Sequence, residues 1–228
     1  MRPLHAWGAL LIISIIKTQN LHVSALAFLS VPLIPVLHNL DKSTAIQLFP
    51  LLERCKITTC SVSLRHREAL EAMHELVKNS DASLKIGAST CVSEKQIGDA
   101  AALGASFVST VFTTPTLVRA SKAASLPILA GVLTYEEANL ALELEVEALK
   151  FYPITSLPPL EFSHIIDQLR STRKVLPPVY VAGGAATSDR GVYTSIGATG
   201  LAVGIECRGR SLAELDAILQ TISAIDSV

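Results

Sequence analysis

Val31-Pro32-Leu33-Ile34-Pro35-Val36-Leu37-His38-Asn39-Leu40-Asp41 opens the regular part of the chain. Its apolar first half reads as a strand buried on both faces, as strands of a parallel sheet are. Its second half separates two folds. An open doubly wound sheet normally places a glycine-rich turn after its first strand, where backbone can approach a bound pyrophosphate. No glycine falls between Val31 and Asp41. A closed parallel barrel is the expectation instead.

Outward from this stretch the pattern repeats. Apolar runs recur at Val31–Leu37, Ile57–Leu64, Leu84–Thr90, Phe107–Thr110, Pro127–Val132, Ala148–Pro153, Val179–Gly184 and Leu201–Ile205. Helix-period segments lie between them, among them Thr44–Leu52, Arg67–Val77, Glu94–Leu103, Tyr135–Leu144, Leu160–Arg170 and Leu212–Ile222. Asp41, Ser93, Thr134 and Ser188 are expected N-caps, with Glu137 completing a capping box on Thr134. The proline pairs Pro158-Pro159 and Pro177-Pro178 punctuate loops around the sixth helix. Eight strand–helix units at a spacing of roughly 25 residues predict an α/β fold, a compact (β/α)8 TIM barrel. The expected division is a single barrel over 30–228 behind a short N-terminal segment, 1–29.

One residue breaks the apolar pattern. Lys150 stands inside the run Ala148-Leu149-Lys150-Phe151-Tyr152-Pro153. Burying an ammonium costs several kcal/mol unless it is paired or deprotonated. Either the side chain snorkels to a rim, or its surroundings lower its pKa and free the amine to attack a carbonyl. In a parallel barrel the reacting groups lie at the C-terminal ends of the strands. The residues there are Arg65, Thr90, Thr110, Lys150, the pair Gly183-Gly184 after strand seven, and Gly204 on strand eight. Glycines after strands seven and eight let backbone N–H groups approach phosphate oxygens.

The bulk numbers exclude several classes of function. Half of the 228 residues are hydrophobic, 17% are charged and the net charge is −1. Nothing there attracts nucleic acid or an anionic membrane. Cys55, Cys60, Cys91 and Cys207 show neither CxxC nor metal-ligand spacing and read as small buried thiols. No metal or cofactor is expected. His5, His22, His38, His74 and His164 show no ligand spacing, and His66 reads as a surface imidazole. Glu143, Glu145 and Glu147 read as a solvated helix end. The N-terminal run Ala6–Ile16, between Arg2 and Lys17, is too short to span a bilayer as a helix. It is either the core of a secretory or plastid-targeting leader or a buried N-terminal helix. Without such a leader the protein is expected in the cytoplasm, and the mature form is not expected to sit in a membrane.

Several of these stretches resemble the KDPG/KHG aldolase family, class I aldolases acting on 2-keto-3-deoxy-6-phosphogluconate and 4-hydroxy-2-oxoglutarate. The resemblance runs in order through Val31–Val36, Leu64-Arg65, Gly87-Ala88-Ser89-Thr90, Gly104–Phe107 and Leu126–Val132 to Leu149-Lys150-Phe151-Tyr152-Pro153. The lysine motif is its most specific part. The resemblance implies a (β/α)8 barrel, usually a homotrimer, working in carbohydrate metabolism of the Entner-Doudoroff type. It puts the Schiff-base lysine on Lys150 and the carboxylate-binding arginine on Arg65. It puts an active-site threonine on Thr90 and the phosphate loop on Gly183-Gly184. The implied partner is a small 2-keto acid, with no nucleic acid.

The chain departs from the family pattern at defined places. The family's catalytic glutamate falls on Ser61, whose hydroxyl cannot shuttle protons as a carboxylate does at neutral pH. A threonine before the glycine pair is Ala182, and a strand-four Ser-Pro-Gly is Thr110-Val111-Phe112. A phosphate-binding serine after strand eight falls near Glu206, where a carboxylate would repel phosphate. Two main readings follow. One is a lyase that cleaves a 2-keto-3-deoxy or 4-hydroxy-2-keto acid to pyruvate and an aldehyde, with weakened or altered activity. The other is a catalytically degenerate barrel that binds a keto acid or serves as an assembly subunit. A third, based on the strand-seven glycines alone, is a phosphate-binding isomerase or synthase barrel.

Overall fold

The computed structural model describes residues 31–226 apart from 82 and 174. The expected leader lies outside the described residues. Eight parallel strands close into a barrel in chain order, β1 pairing with β8. They are β1 Leu33–His38, β2 Thr59–Ser63, β3 Lys85–Cys91, β4 Phe107–Thr110, β5 Ile128–Val132, β6 Ala148–Phe151, β7 Val179–Ala182 and β8 Gly200–Glu206. One α-helix follows each strand: α1 Lys42–Arg54, α2 Ala69–Asn79, α3 Glu94–Ala102, α4 Pro115–Ala123, α5 Tyr135–Glu143, α6 Pro159–Thr172, α7 Arg190–Ser195 and α8 Leu212–Asp226. The chain is therefore the (β/α)8 barrel that its alternation predicts. Among the described residues no helix is long and apolar enough to cross a membrane.

Strand side chains alternate between two cores, because the period of a strand is two. One set, including Leu33, Leu37, Cys60, Val62, Ile86, Ala88, Leu149, Phe151 and Val181, packs outward against the helices. The other, including Ile34, Phe107, Leu129, Ala148, Tyr180 and Ala202, fills the barrel interior. Gly87 pairs with Phe107 across β3 and β4. A methyl group on Gly87 would overlap the Phe107 ring, so the glycine makes room for that ring. Gly87→Ala is expected to lower unfolding free energy by about 1–3 kcal/mol through overpacking. Denaturant unfolding checks this; an unchanged midpoint would show that the ring relocates freely.

The helix signals are largely fulfilled. The Asp41, Ser93 and Thr134 side chains accept from backbone N–H groups at their helix starts, and Glu137 closes the capping box. Pro159 is the first residue of α6, where its missing N–H costs nothing. Ser188 is a correction. It lies inside a 3-10 turn, Thr187–Asp189, and caps no helix. The Asp189 carboxylate takes the Ala186 N–H at 2.8 Å, winding the turn before α7 begins.

Candidate active site

The interior of the barrel is not apolar throughout. β2, β3 and β4 turn Ser61, Ser89 and Ser109 inward, all at most 3% exposed. Together with Lys150 on β6 they make one side of the barrel polar. Above them the strand ends enclose a cavity of about 250 Å³. Lys150, Arg65, Tyr152, His38, Thr90 and the Gly183-Gly184 pair all line it.

Lys150 is 6% exposed. Its Nζ donates to Ser109 Oγ and to the Thr110 carbonyl, each at 2.7 Å. Both partners belong to β4, two strands away, so the side chain must cross β5. It crosses at Gly131, its register partner on β5. A methyl group on Gly131 would strike the carbonyls of Thr110 and Val111, closing that passage. Neither partner is a carboxylate, so nothing compensates the ammonium fully. Burial therefore pulls the Lys150 pKa from the usual lysine range down to about 8, with Arg65 adding to the effect and Cys91 opposing it. A minority of the amine is free at neutral pH, as a carbonyl nucleophile requires. The Nζ also lies 5.5 Å from the Tyr152 ring centroid.

Arg65 follows β2 and is exposed, its Nη2 donating to Tyr152 Oη at 3.0 Å. A guanidinium beside a buried amine suits a keto acid, whose carboxylate takes two parallel N–H donors. Thr90 shares a 2.9 Å hydrogen bond with Ser63 Oγ. Its φ of 63° is left-handed, beside a shift in the β3–β4 register. Such a conformation costs a non-glycine residue about 1–2 kcal/mol and tends to occur where a side chain must be aimed. Gly183 and Gly184 have φ of 79° and 94°, and side chains there would meet Tyr152 and Thr155. Ala182, on β7, also lines the cavity.

Ser61 occupies the cavity floor. Its Oγ and that of Ser89 are buried and have no hydrogen-bond partner among the described residues. Among the described residues no carboxylate lines the cavity. Glu206 is exposed, accepting from Asn39 Nδ2 at 2.8 and 3.0 Å and from the Arg208 N–H at 3.1 Å. It stands at the rim and is not part of the lining.

Two positions differ from what the sequence suggests. The Thr110 hydroxyl is fully buried and accepts from the Gly131 N–H at 3.0 Å. It ties β4 to β5, and Val111 lines the cavity instead. His38, which has no informative spacing, does line the cavity. Its signal was the two-residue period of Ile34, Val36 and His38 on the inward face of β1. Cys60, Cys91 and Cys207 are buried thiols pushed up to about 12 by desolvation. Among the described residues no group of three His, Cys, Asp or Glu could hold a metal. His66 sits outside the cavity and hydrogen-bonds Arg208. Glu143, Glu145 and Glu147 bind three separate partners rather than forming a cluster.

A parallel eight-stranded barrel with a desolvated lysine and an arginine in its mouth defines a class of candidate Schiff-base barrels. The particular family follows from comparison with known proteins. The KDPG and KHG aldolase family model matches residues 27–188, and the chain belongs to that family. The KHG/KDPG aldolase of Escherichia coli K12 is 24% identical over 136 residues, 59% of this chain and 63% of that protein. The match thus spans less than two thirds of that relative. A probable 2-dehydro-3-deoxy-6-phosphogalactonate aldolase of Rhizobium meliloti is 25% identical over 203 residues, 86% of this chain and 92% of that protein. A Legionella pneumophila KDPG aldolase, captured with pyruvate as a covalent carbinolamine, shares the fold. It has a TM-score of 0.67 at 22% identity, covering 89% of this chain and 95% of that one.

Proposed function

We propose that this protein is a class I carbon–carbon lyase that forms a Schiff base with a short 2-keto acid. The observation that supports it most is the Lys150 amine, desolvated and facing the same cavity as Arg65. In this reading Arg65 binds the substrate carboxylate and sets the keto carbon over Nζ. Attack gives a carbinolamine, loss of water gives an iminium, and the iminium takes up the electron pair of the breaking C3–C4 bond. Thr90 and the Gly183-Gly184 backbone hold the far end of the substrate. The pyruvate carbinolamine of the Legionella relative is the intermediate this sequence of steps requires.

The pH dependence tests the reading. Lys150 must be neutral to attack, and its pKa is lowered to about 8. The second-order rate of imine formation with pyruvate, read by borohydride quench, should rise about tenfold per pH unit below 8 and level above it. A rate still climbing at pH 10 would show an ordinary, solvated lysine. Pyruvate release from 4-hydroxy-2-keto acids then establishes turnover.

Unphosphorylated substrates are the better fit. Ala182 offers no hydroxyl, and the Ala186 N–H beyond the glycine pair is already taken by Asp189. In parallel assays a 6-phosphorylated hydroxy-keto acid should be cleaved no faster than its unphosphorylated counterpart. A clear preference for the phosphorylated compound would contradict this. The floor favours a second reading, a barrel that binds keto acids without turning them over, because Ser61 supplies no carboxylate. Imine trapping without pyruvate release would support that reading. A homotrimer is the expected assembly, checked by sedimentation.

A further inference from the structure

We propose that His38 is the proton carrier of this site, doing from β1 what no carboxylate of the described cavity lining does. The inference rests on the Schiff-base reading above and deepens it.

Cleavage of an iminium needs a group that takes the C4 hydroxyl proton as the C3–C4 bond breaks. The resulting enamine must then be protonated at C3. Among the cavity-lining side chains the ionisable ones are His38, Arg65, Lys150 and Tyr152. Lys150 is consumed by the imine. Arg65 is a donor-only guanidinium with no acceptor to offer as a base. Tyr152 accepts from Arg65 through its hydroxyl. The serines Ser61, Ser89 and Ser109 are neutral and too weakly basic. Among the described lining side chains His38 offers the imidazole lone pair best suited to a base near neutral pH.

Its placement fits the task. His38 closes β1 on the inward face, pairing with Glu206 of β8. On the other side, Val36 pairs with Ser61 of β2, so His38 stands one inward layer above Ser61 on the adjacent strand. Gly204, which also lines the cavity, leaves room for the ring: a methyl group there would sit 3.0 Å from His38 Nε2. No hydrogen bond from another described residue occupies the imidazole. The charged groups facing it are Arg65, after β2, and Glu206, on β8. Burial and Arg65 lower its pKa below the usual histidine value, with Glu206 opposing them. The ring is therefore neutral, and a base, at pH 7.

The step balances within the site. Neutral His38 takes the C4 hydroxyl proton as the C3–C4 pair moves into the iminium, and the aldehyde leaves. The imidazolium returns a proton to C3 of the enamine, and water releases pyruvate from Lys150. With pyruvate alone the reverse half-step applies: His38 removes a methyl proton from the iminium, so the methyl group exchanges with solvent.

The test follows methyl deuterium exchange by NMR at saturating pyruvate, where Lys150 is already engaged, alongside borohydride trapping. His38→Gln and His38→Asn should keep trapping and lose exchange at least tenfold, and the acid limb of the exchange profile should disappear. His38→Ala should regain exchange with added imidazole. Ser61→Glu should restore it in the His38→Gln background, because the carboxylate would rise from the floor below. Undiminished exchange in His38→Gln and His38→Asn overturns the proposal. Parallel loss of trapping and exchange in all of them also overturns it, because His38 then only shapes the cavity. Absence of trapping in the unaltered protein overturns the Schiff-base reading and the His38 role with it.

Discussion

Lys150→Met is expected to abolish pyruvate methyl exchange and to make the protein more stable. The two effects share one cause. Lys150 titrates near 10.5 when solvated and near 8 in the fold, so protonation favours the unfolded chain. Its stability cost is full below pH 8 and fades as pH rises toward 10.5. Methionine fills a similar volume without a charge, and replacing a buried charge in this way commonly stabilises by about 1–3 kcal/mol. The gain should therefore be largest at pH 7 and shrink toward pH 10. It is moderated by Ser109 Oγ and the Thr110 carbonyl, which lose their 2.7 Å donor. Unfolding at pH 7 and pH 10, with exchange measured on the same samples, checks both. A destabilised variant at pH 7 would show that the ammonium is better compensated than its partners suggest.

Arg65→Leu should act on binding rather than on the amine. If the guanidinium holds the substrate carboxylate, its loss removes a charge-assisted pair worth about 1.5–3 kcal/mol. The pyruvate concentration for half-maximal trapping should rise about 10- to 100-fold, while the limiting rate changes far less. Tyr152 would also lose its 3.0 Å donor. Arg65→Lys should recover only part of the affinity, because an ammonium cannot offer the fork. Equal affinity in the leucine variant would place the carboxylate elsewhere in the cavity.

The fold was legible because the β-strands are largely buried on both faces and read as mainly apolar runs. All eight runs fall on strands, with no end displaced by more than two residues. The displacements arise where apolar loop residues continue the run, as Ile57 does before β2 and Tyr152-Pro153 do after β6. Lys150 was legible for the opposite reason, as a charge where the pattern forbids one. Its partners were not. Ser109 and the Thr110 carbonyl become reachable only because Gly131 opens a passage across β5, and a glycine in a strand does not announce what passes over it. His38 was overlooked because a lone histidine at a strand end carries no spacing signal beyond its place on the inward face. Glu206 was read as a charge against phosphate, yet its carboxylate is held by Asn39 and the Arg208 N–H at the rim. That depends on β1 and β8 meeting at barrel closure, which no local stretch encodes. Ser188 failed as a cap because Asp189 binds the Ala186 N–H instead.

The central claim is that the Lys150 amine forms an imine with a 2-keto acid. It is tested most directly by treating the unaltered protein with pyruvate and borohydride and mapping the peptides by mass. The peptide bearing Lys150 should carry a single reduced pyruvyl adduct, absent when pyruvate or borohydride is omitted. An unmodified Lys150 peptide, or an adduct on another lysine, would contradict the account.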